Sequence, residues 1–76
     1  MPRRKIRILI ADDELFIREG LQEALQQPDY QIDLAADGLR ARDMMLESAY
    51  HLVILDLRMP GLSGMDLLEE IRDEFP

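Results

Sequence analysis

Cysteine is absent from the 76-residue chain, which excludes disulfide staples and thiolate metal sites. That absence suits a reducing, cytosolic compartment without proving one. No apolar run approaches the ~20 residues that a membrane-spanning helix requires. The basic N-terminus leads into Ile6–Ala11, which is too short, and too soon interrupted by Asp12, for a secretory signal. These features imply a soluble, cytoplasmic chain with no membrane partner. Positive charge is also scarce: nine Lys and Arg stand against 16 Asp and Glu, for a formal charge of −7. Such a balance argues against binding of nucleic acid or anionic membrane by this segment. Arg3, Arg4, Lys5 and Arg7 all lie at or before the start of the first apolar run and read as a solubilising flank. Two glycine signatures are missing as well. No Gly-x-Gly-x-x-Gly follows the first apolar run, and no Gly-x-x-x-x-Gly-Lys-Ser/Thr occurs, so dinucleotide and P-loop readings drop out.

What is present is the composition of a folded chain, 47% hydrophobic and 33% charged with signs interspersed. The length makes half of an ordinary domain or one small one, and a chain of this size buries only about 60% of its unfolded surface. Three units of one plan follow each other: a β-branched apolar stretch, a turn signal, then a helical pattern. Residues 5–11 alternate through Ile6, Ile8 and Ile10, with Leu9 on the other face, and predict a strand. From Glu14 to Gln26, the residues Ile17, Leu21, Ala24 and Leu25 share a helix face, interrupted only by Gly20. Gln31–Ala35 predicts a second strand. Asp37-Gly38 then opens a helix over 38–49, with Ala41, Met44, Met45 and Ala49 inward. His51–Leu55 predicts a third strand, apolar on both faces as a covered parallel strand is. After Ser63-Gly64 comes a last helix, with Ser63 and Asp66 resembling a capping box and Gly64, Leu68, Ile71 and Phe75 as its inner stripe. This β-α-β-α-β-α order implies right-handed crossovers, a parallel sheet and helices on its faces.

In open α/β sheets, ligands bind beyond the carboxyl ends of the strands. There the first strand ends in Asp12-Asp13, followed by Glu14, and the third ends in Asp56. If those strands are neighbours, three carboxylates converge and repel, and a divalent cation removes the conflict. A donor set of few oxygens suits Mg²⁺ better than zinc, and Mg²⁺ with few protein ligands commonly accompanies phosphate chemistry. A carboxylate can itself be the nucleophile, becoming an aspartyl phosphate. Taken singly, Asp12-Asp13 also reads as a strand end turning into a helix N-terminus, where acids are favoured. His51, the only histidine, opens the third strand away from this edge and is a poor catalytic candidate.

After Asp56 comes Leu57-Arg58-Met59-Pro60-Gly61-Leu62-Ser63-Gly64. Together with the Ile-Leu-Ile-Ala-Asp-Asp-Glu opening and the Ala36-Asp37-Gly38 turn, it resembles the receiver (CheY-like) domain of bacterial two-component response regulators. The resemblance covers the whole chain. It implies a phosphoacceptor signalling domain rather than an enzyme, phosphorylated on Asp56 by a sensor histidine kinase and switching an output such as transcription. It further implies that Asp13 ligates Mg²⁺ directly, with Asp12 acting mainly through water, and with Asp56 and the backbone carbonyl of Arg58 as the other protein ligands. The Arg58 guanidinium is left either over the site or as a solvated loop charge. In Met59-Pro60-Gly61 the proline fixes φ and the glycine permits φ > 0, so the loop can turn its backbone toward ion and phosphate. An aspartyl phosphatase would want Asp-x-Asp at the nucleophile, whereas position 58 is Arg.

Against a five-stranded receiver, the chain reads as the N-terminal part of a single domain over residues 1–76. It is a portion of a doubly wound, flavodoxin-like sheet of strand order 2-1-3, without strands four and five. The Ser/Thr after the fourth strand and the Lys after the fifth are then absent. The third strand becomes an unguarded apolar edge, which predicts a homo-oligomer, most simply a symmetric dimer.

Overall fold

The computed structural model describes residues 5–56, Arg58 and residues 64–74. Within them the chain runs β1 (Ile6–Ala11), α1 (Leu15–Leu25), β2 (Tyr30–Ala35), α2 (Gly38–Glu47), β3 (Leu52–Leu55) and α3 (Gly64–Glu74). The strands form one parallel sheet in the order β2-β1-β3. Ala11 is the last paired residue of β1, opposite both Ala35 and Leu55, so the three strands end level.

Alternation along β1 sets the two layers. Leu9 and Ala11 join Ala35, Ala41 and Leu67 in a buried cluster, against which Met44, Met45, Tyr50, Val53 and Leu55 pack. That face carries α2 and α3, which touch each other. Ile8 and Ile10 point to the opposite face, are fully buried, and lie on the side of the sheet that α1 covers.

The two layers differ in depth. α1 buries no residue: Leu21 and Leu25 are half-buried, while Ile17 and Ala24, expected inward, are exposed. Among the described residues its main contacts are with β1 and β2, a strip too narrow to cover its whole apolar face. A Cβ added at Gly20 would meet nothing within 4 Å, so this glycine answers no steric demand.

Other boundaries shift for local reasons. Asp37 caps α2 by accepting from the Arg40 amide at 2.7 Å. The helix ends at Glu47 because Ser48 is extended (φ −142°, ψ 150°), which leaves Ala49 exposed beyond it. Among the described side chains of α3 the buried residue is Leu67, whereas Leu68, expected inward, is 43% exposed. Both are apolar, and packing against the buried cluster selects Leu67 over Leu68. Ser63 and Phe75 lie outside the described residues, as do the side chains of Gly64 and Ile71.

β3 starts at Leu52, one residue after His51, and among the described strands it pairs on one side only. Its approach is tied to β1 by polar groups. The Arg7 amide donates to His51 Nδ1 at 3.0 Å, and the His51 amide donates to the Arg7 carbonyl at 2.8 Å. The Tyr50 hydroxyl donates to Asp33 Oδ2 at 2.7 Å, and Arg7 Nη2 reaches the same oxygen at 3.3 Å. The Arg7 guanidinium also lies 5.0 Å from the centre of the Tyr50 ring. Burial, reinforced by the Asp33 carboxylate, pushes the Tyr50 phenol up to about 12.

Candidate functional site

At the level carboxyl end of the sheet, the ladders of β1 and β3 each continue for one bond and hand the chain to an acid. The Asp12 amide donates to the Ala35 carbonyl at 3.1 Å, and the Asp56 amide donates to the Ala11 carbonyl at 2.8 Å. Asp12 and Asp56 therefore each stand one residue beyond a paired position on neighbouring strands. Asp13 follows on the turn into α1. One carboxylate oxygen from each of Asp12, Asp13 and Asp56 lies within 4.8 Å of the others. Asp12 is buried, Asp56 half-buried and Asp13 exposed, so the cluster opens from the sheet toward solvent.

Backbone amides orient two of the three acids. Asp12 Oδ1 accepts from the Glu14 amide at 2.9 Å, and Asp56 Oδ1 accepts from the Arg58 amide at 3.0 Å. Both are Asx turns, in which a carboxylate bonds the amide two residues on. Glu14 is exposed, makes no side-chain cap on α1, and stands beside the acids as a helix-entrance residue.

The carboxylates that the sequence singles out are thus together in space. Arg58 is exposed and adjoins Asp56 through its amide. Met59, Pro60 and Gly61 lie outside the described residues. His51 is at the far end of β3, bonded to the Arg7 backbone. One residue was missed: Arg18, whose Nη1 donates to the Asp12 carbonyl at 2.8 Å. An arginine one turn into the helix that follows an acidic strand end is the signal that could have found it.

The donor chemistry fits a hard cation. Three carboxylates with oxygens within 4.8 Å of one another offer oxygen alone, with no imidazole or thiolate among them. A parallel sheet with covered faces and a carboxylate crevice at its level carboxyl end defines the class: a doubly wound, flavodoxin-like α/β fold.

Comparison with known proteins gives the family within that class. The family described as "Response regulator receiver domain" matches residues 8–76. The chain belongs to that family. It is 45% identical over 75 residues to a protein-glutamate methylesterase/protein-glutamine glutaminase 1 of Methanospirillum hungatei, a match covering 93% of this chain and 22% of that protein. With "Response regulator RR06" of Streptococcus pneumoniae it shares 40% identity over 67 residues, covering 88% of this chain and 31% of the relative. Among solved structures, response regulator TrrA of Thermotoga maritima in complex with Mg(2+)-BeF superposes with a TM-score of 0.86 at 47% identity. That match covers 92% of this chain and 61% of TrrA. The chain therefore spans about three fifths of a solved relative and less than a third of these two curated ones. Among the described residues, no helix is long and apolar enough to cross a membrane.

Proposed function

We propose that Asp56 is the phosphoacceptor of this chain and that residues 1–76 form the N-terminal part of one receiver domain. The convergence of Asp12, Asp13 and Asp56 at the sheet's carboxyl end carries this reading. In it, a carboxylate oxygen of Asp56 attacks the phosphorus of a phosphohistidine on a sensor kinase. The P–N bond breaks, a P–O bond forms, and the departing imidazole takes its proton from solvent. The Arg58 amide holds one Asp56 oxygen and leaves the other for attack.

Asp12, Asp13, Asp56 and the Arg58 carbonyl are the groups that would hold Mg²⁺, as the Mg(2+)-BeF complex of TrrA suggests by analogy. When bound, the ion would offset the carboxylate charge and stabilise the charge that builds on the transferring phosphoryl oxygens. Asp13, the exposed member, gives the site its solvent-facing acid, and Asp12 is fixed by its two backbone bonds.

In this reading the chain is a cytoplasmic signalling module rather than an enzyme with its own small-molecule substrate. Its partner is a histidine kinase, and its −7 charge leaves nucleic-acid contact to other parts of a regulator that controls transcription. Intact-protein mass after incubation with Mg²⁺ and a small acyl-phosphate donor tests it. One added phosphoryl group, lost in Asp56→Ala, is the expected result. No addition to the parent sequence would defeat the phosphoacceptor reading.

A second reading concerns the isolated chain. Among the described strands β3 pairs on one side only, and Leu52 is 48% exposed on it. An apolar edge of this kind recruits another strand, so the chain self-associates, most simply as a homodimer joined at β3. Light scattering at tens of micromolar should give at least a dimer mass, and a sharp monomer would sink this reading.

A further inference from the structure

The turn that delivers Asp12 and Asp13 is secured from α1, a helix with no buried residue to fix its own position. Packing alone thus gives weak control over where this turn sits. Three polar links supply that control. Asp12 Oδ1 accepts from the Glu14 amide at 2.9 Å, and the Arg18 amide donates to the Glu14 carbonyl at 3.0 Å. From the next turn of the helix, Arg18 Nη1 reaches back to the Asp12 carbonyl at 2.8 Å. Asp12 is only 8% exposed, so without this donor its carbonyl would have to find another partner in a confined place.

We propose that Arg18 is the positioning residue of the site: its guanidinium grips the Asp12 carbonyl and so keeps the Asp12 and Asp13 carboxylates converged on Asp56. The bond is charge-assisted and closes a ring through Asp12, Glu14 and Arg18, a tighter tether than a neutral bond at the same place.

A rival role for the same group makes the opposite prediction. If Arg18 served chiefly as a countercharge for the three acids, deleting it would strengthen cation binding by removing a positive charge from beside the site. As a grip, its deletion loosens the turn and weakens binding. Partners that orient metal-binding groups from behind typically cost about ten-fold or more in metal affinity when removed.

The experiment uses the whole chain as wild type, Arg18→Met and Arg18→Lys. Methionine keeps an unbranched stem without donor or charge, while lysine restores a charged donor. Amide–water exchange is measured by NMR at Glu14, with the Ile10 amide of β1 as the control for global opening. In Arg18→Met, exchange at Glu14 should rise about ten-fold while Ile10 is unchanged, and Arg18→Lys should recover part of the protection. A Mg²⁺ titration read at the Asp13 amide should show half-saturation raised about ten-fold in Arg18→Met. Unchanged Glu14 exchange, or tighter Mg²⁺ binding in Arg18→Met, would overturn the proposal. The metal arm rests on the phosphoacceptor reading, and the exchange arm does not. If the wild-type chain gives no Mg²⁺ response, that reading falls, and Glu14 exchange alone decides for or against the grip.

Discussion

Toward its amino end the sheet carries Arg7, Asp33, Tyr50 and His51, and at its carboxyl end Asp12, Asp13 and Asp56. In the first group the one carboxylate meets two donors: Asp33 Oδ2 is shared by a phenol and a guanidinium, and the guanidinium also lies near the aromatic ring. In the second, like charges gather within 4.8 Å, the donors to the carboxylates are backbone amides without net charge, and the Arg18 guanidinium is spent on the Asp12 carbonyl. A cluster that serves stability balances its own charge, as the amino end does. A cluster left unbalanced on a rigid frame is held there by the fold at a cost, and that cost marks it as a place for chemistry. Proximity alone does not separate the two cases, since both are tight.

The comparison breaks most sharply at Asp33. Asp33→Ala removes the acceptor of two bonds and strands the partly buried Arg7, whose Nε already lacks a hydrogen-bond partner among the described residues. A loss of about 2 kcal/mol is expected in urea unfolding. If stability were unchanged, the amino-end cluster would be decorative.

A smaller effect should appear at alkaline pH. The Tyr50 phenol is pushed up to about 12, mainly by burial and then by its bond to Asp33. The unfolded phenol titrates near 10, so the unfolded chain loses its proton first as pH rises. This contribution is complete below pH about 10 and is lost as pH climbs from about 10 to 12. Phenolate absorbance should show one of the two tyrosines titrating near the upper end of that window. Tyr50→Phe should remove both the late titration and its share of the alkaline loss.

The smallest effect has the opposite sign. Asp13→Asn takes one charge out of the unbalanced cluster at an exposed position. Without added Mg²⁺ it should raise stability by about 1 kcal/mol at low salt, and by less at high salt. Urea unfolding at two ionic strengths checks this. Destabilisation by Asp13→Asn would mean that both ends of the sheet are built alike.

The acidic site was legible in the sequence because it depends on strand ends, and strand ends are marked locally. Ile6, Ile8 and Ile10 alternate up to Ala11, and Leu52–Leu55 run unbroken up to Asp56. A parallel register that finishes level then places Asp12 beside Asp56 with little further choice. Which of Leu67 and Leu68 is buried was not legible, since the two are equally apolar and only packing decides between them. Nor was the Arg7–Asp33–Tyr50 group, whose members sit far apart in the chain and share no spacing pattern. Arg18 was missed because a periodicity argument sees faces and not the reach of a long side chain back over a turn.

β1 is the centre of the sheet, and it leaves a ribosome before either of its partners. Its partners follow only after one further helix for β2 and two for β3. Through that interval Ile-Arg-Ile-Leu-Ile-Ala is an open strand with both hydrogen-bonding sides free and strong β propensity. Arg7 within the segment and the Asp12-Asp13 pair at its end are then the charges that discourage stacking with other nascent chains. The same residues that form an ion pair and an acidic cluster in the finished fold thus also put charge beside a strand that must wait for its partners.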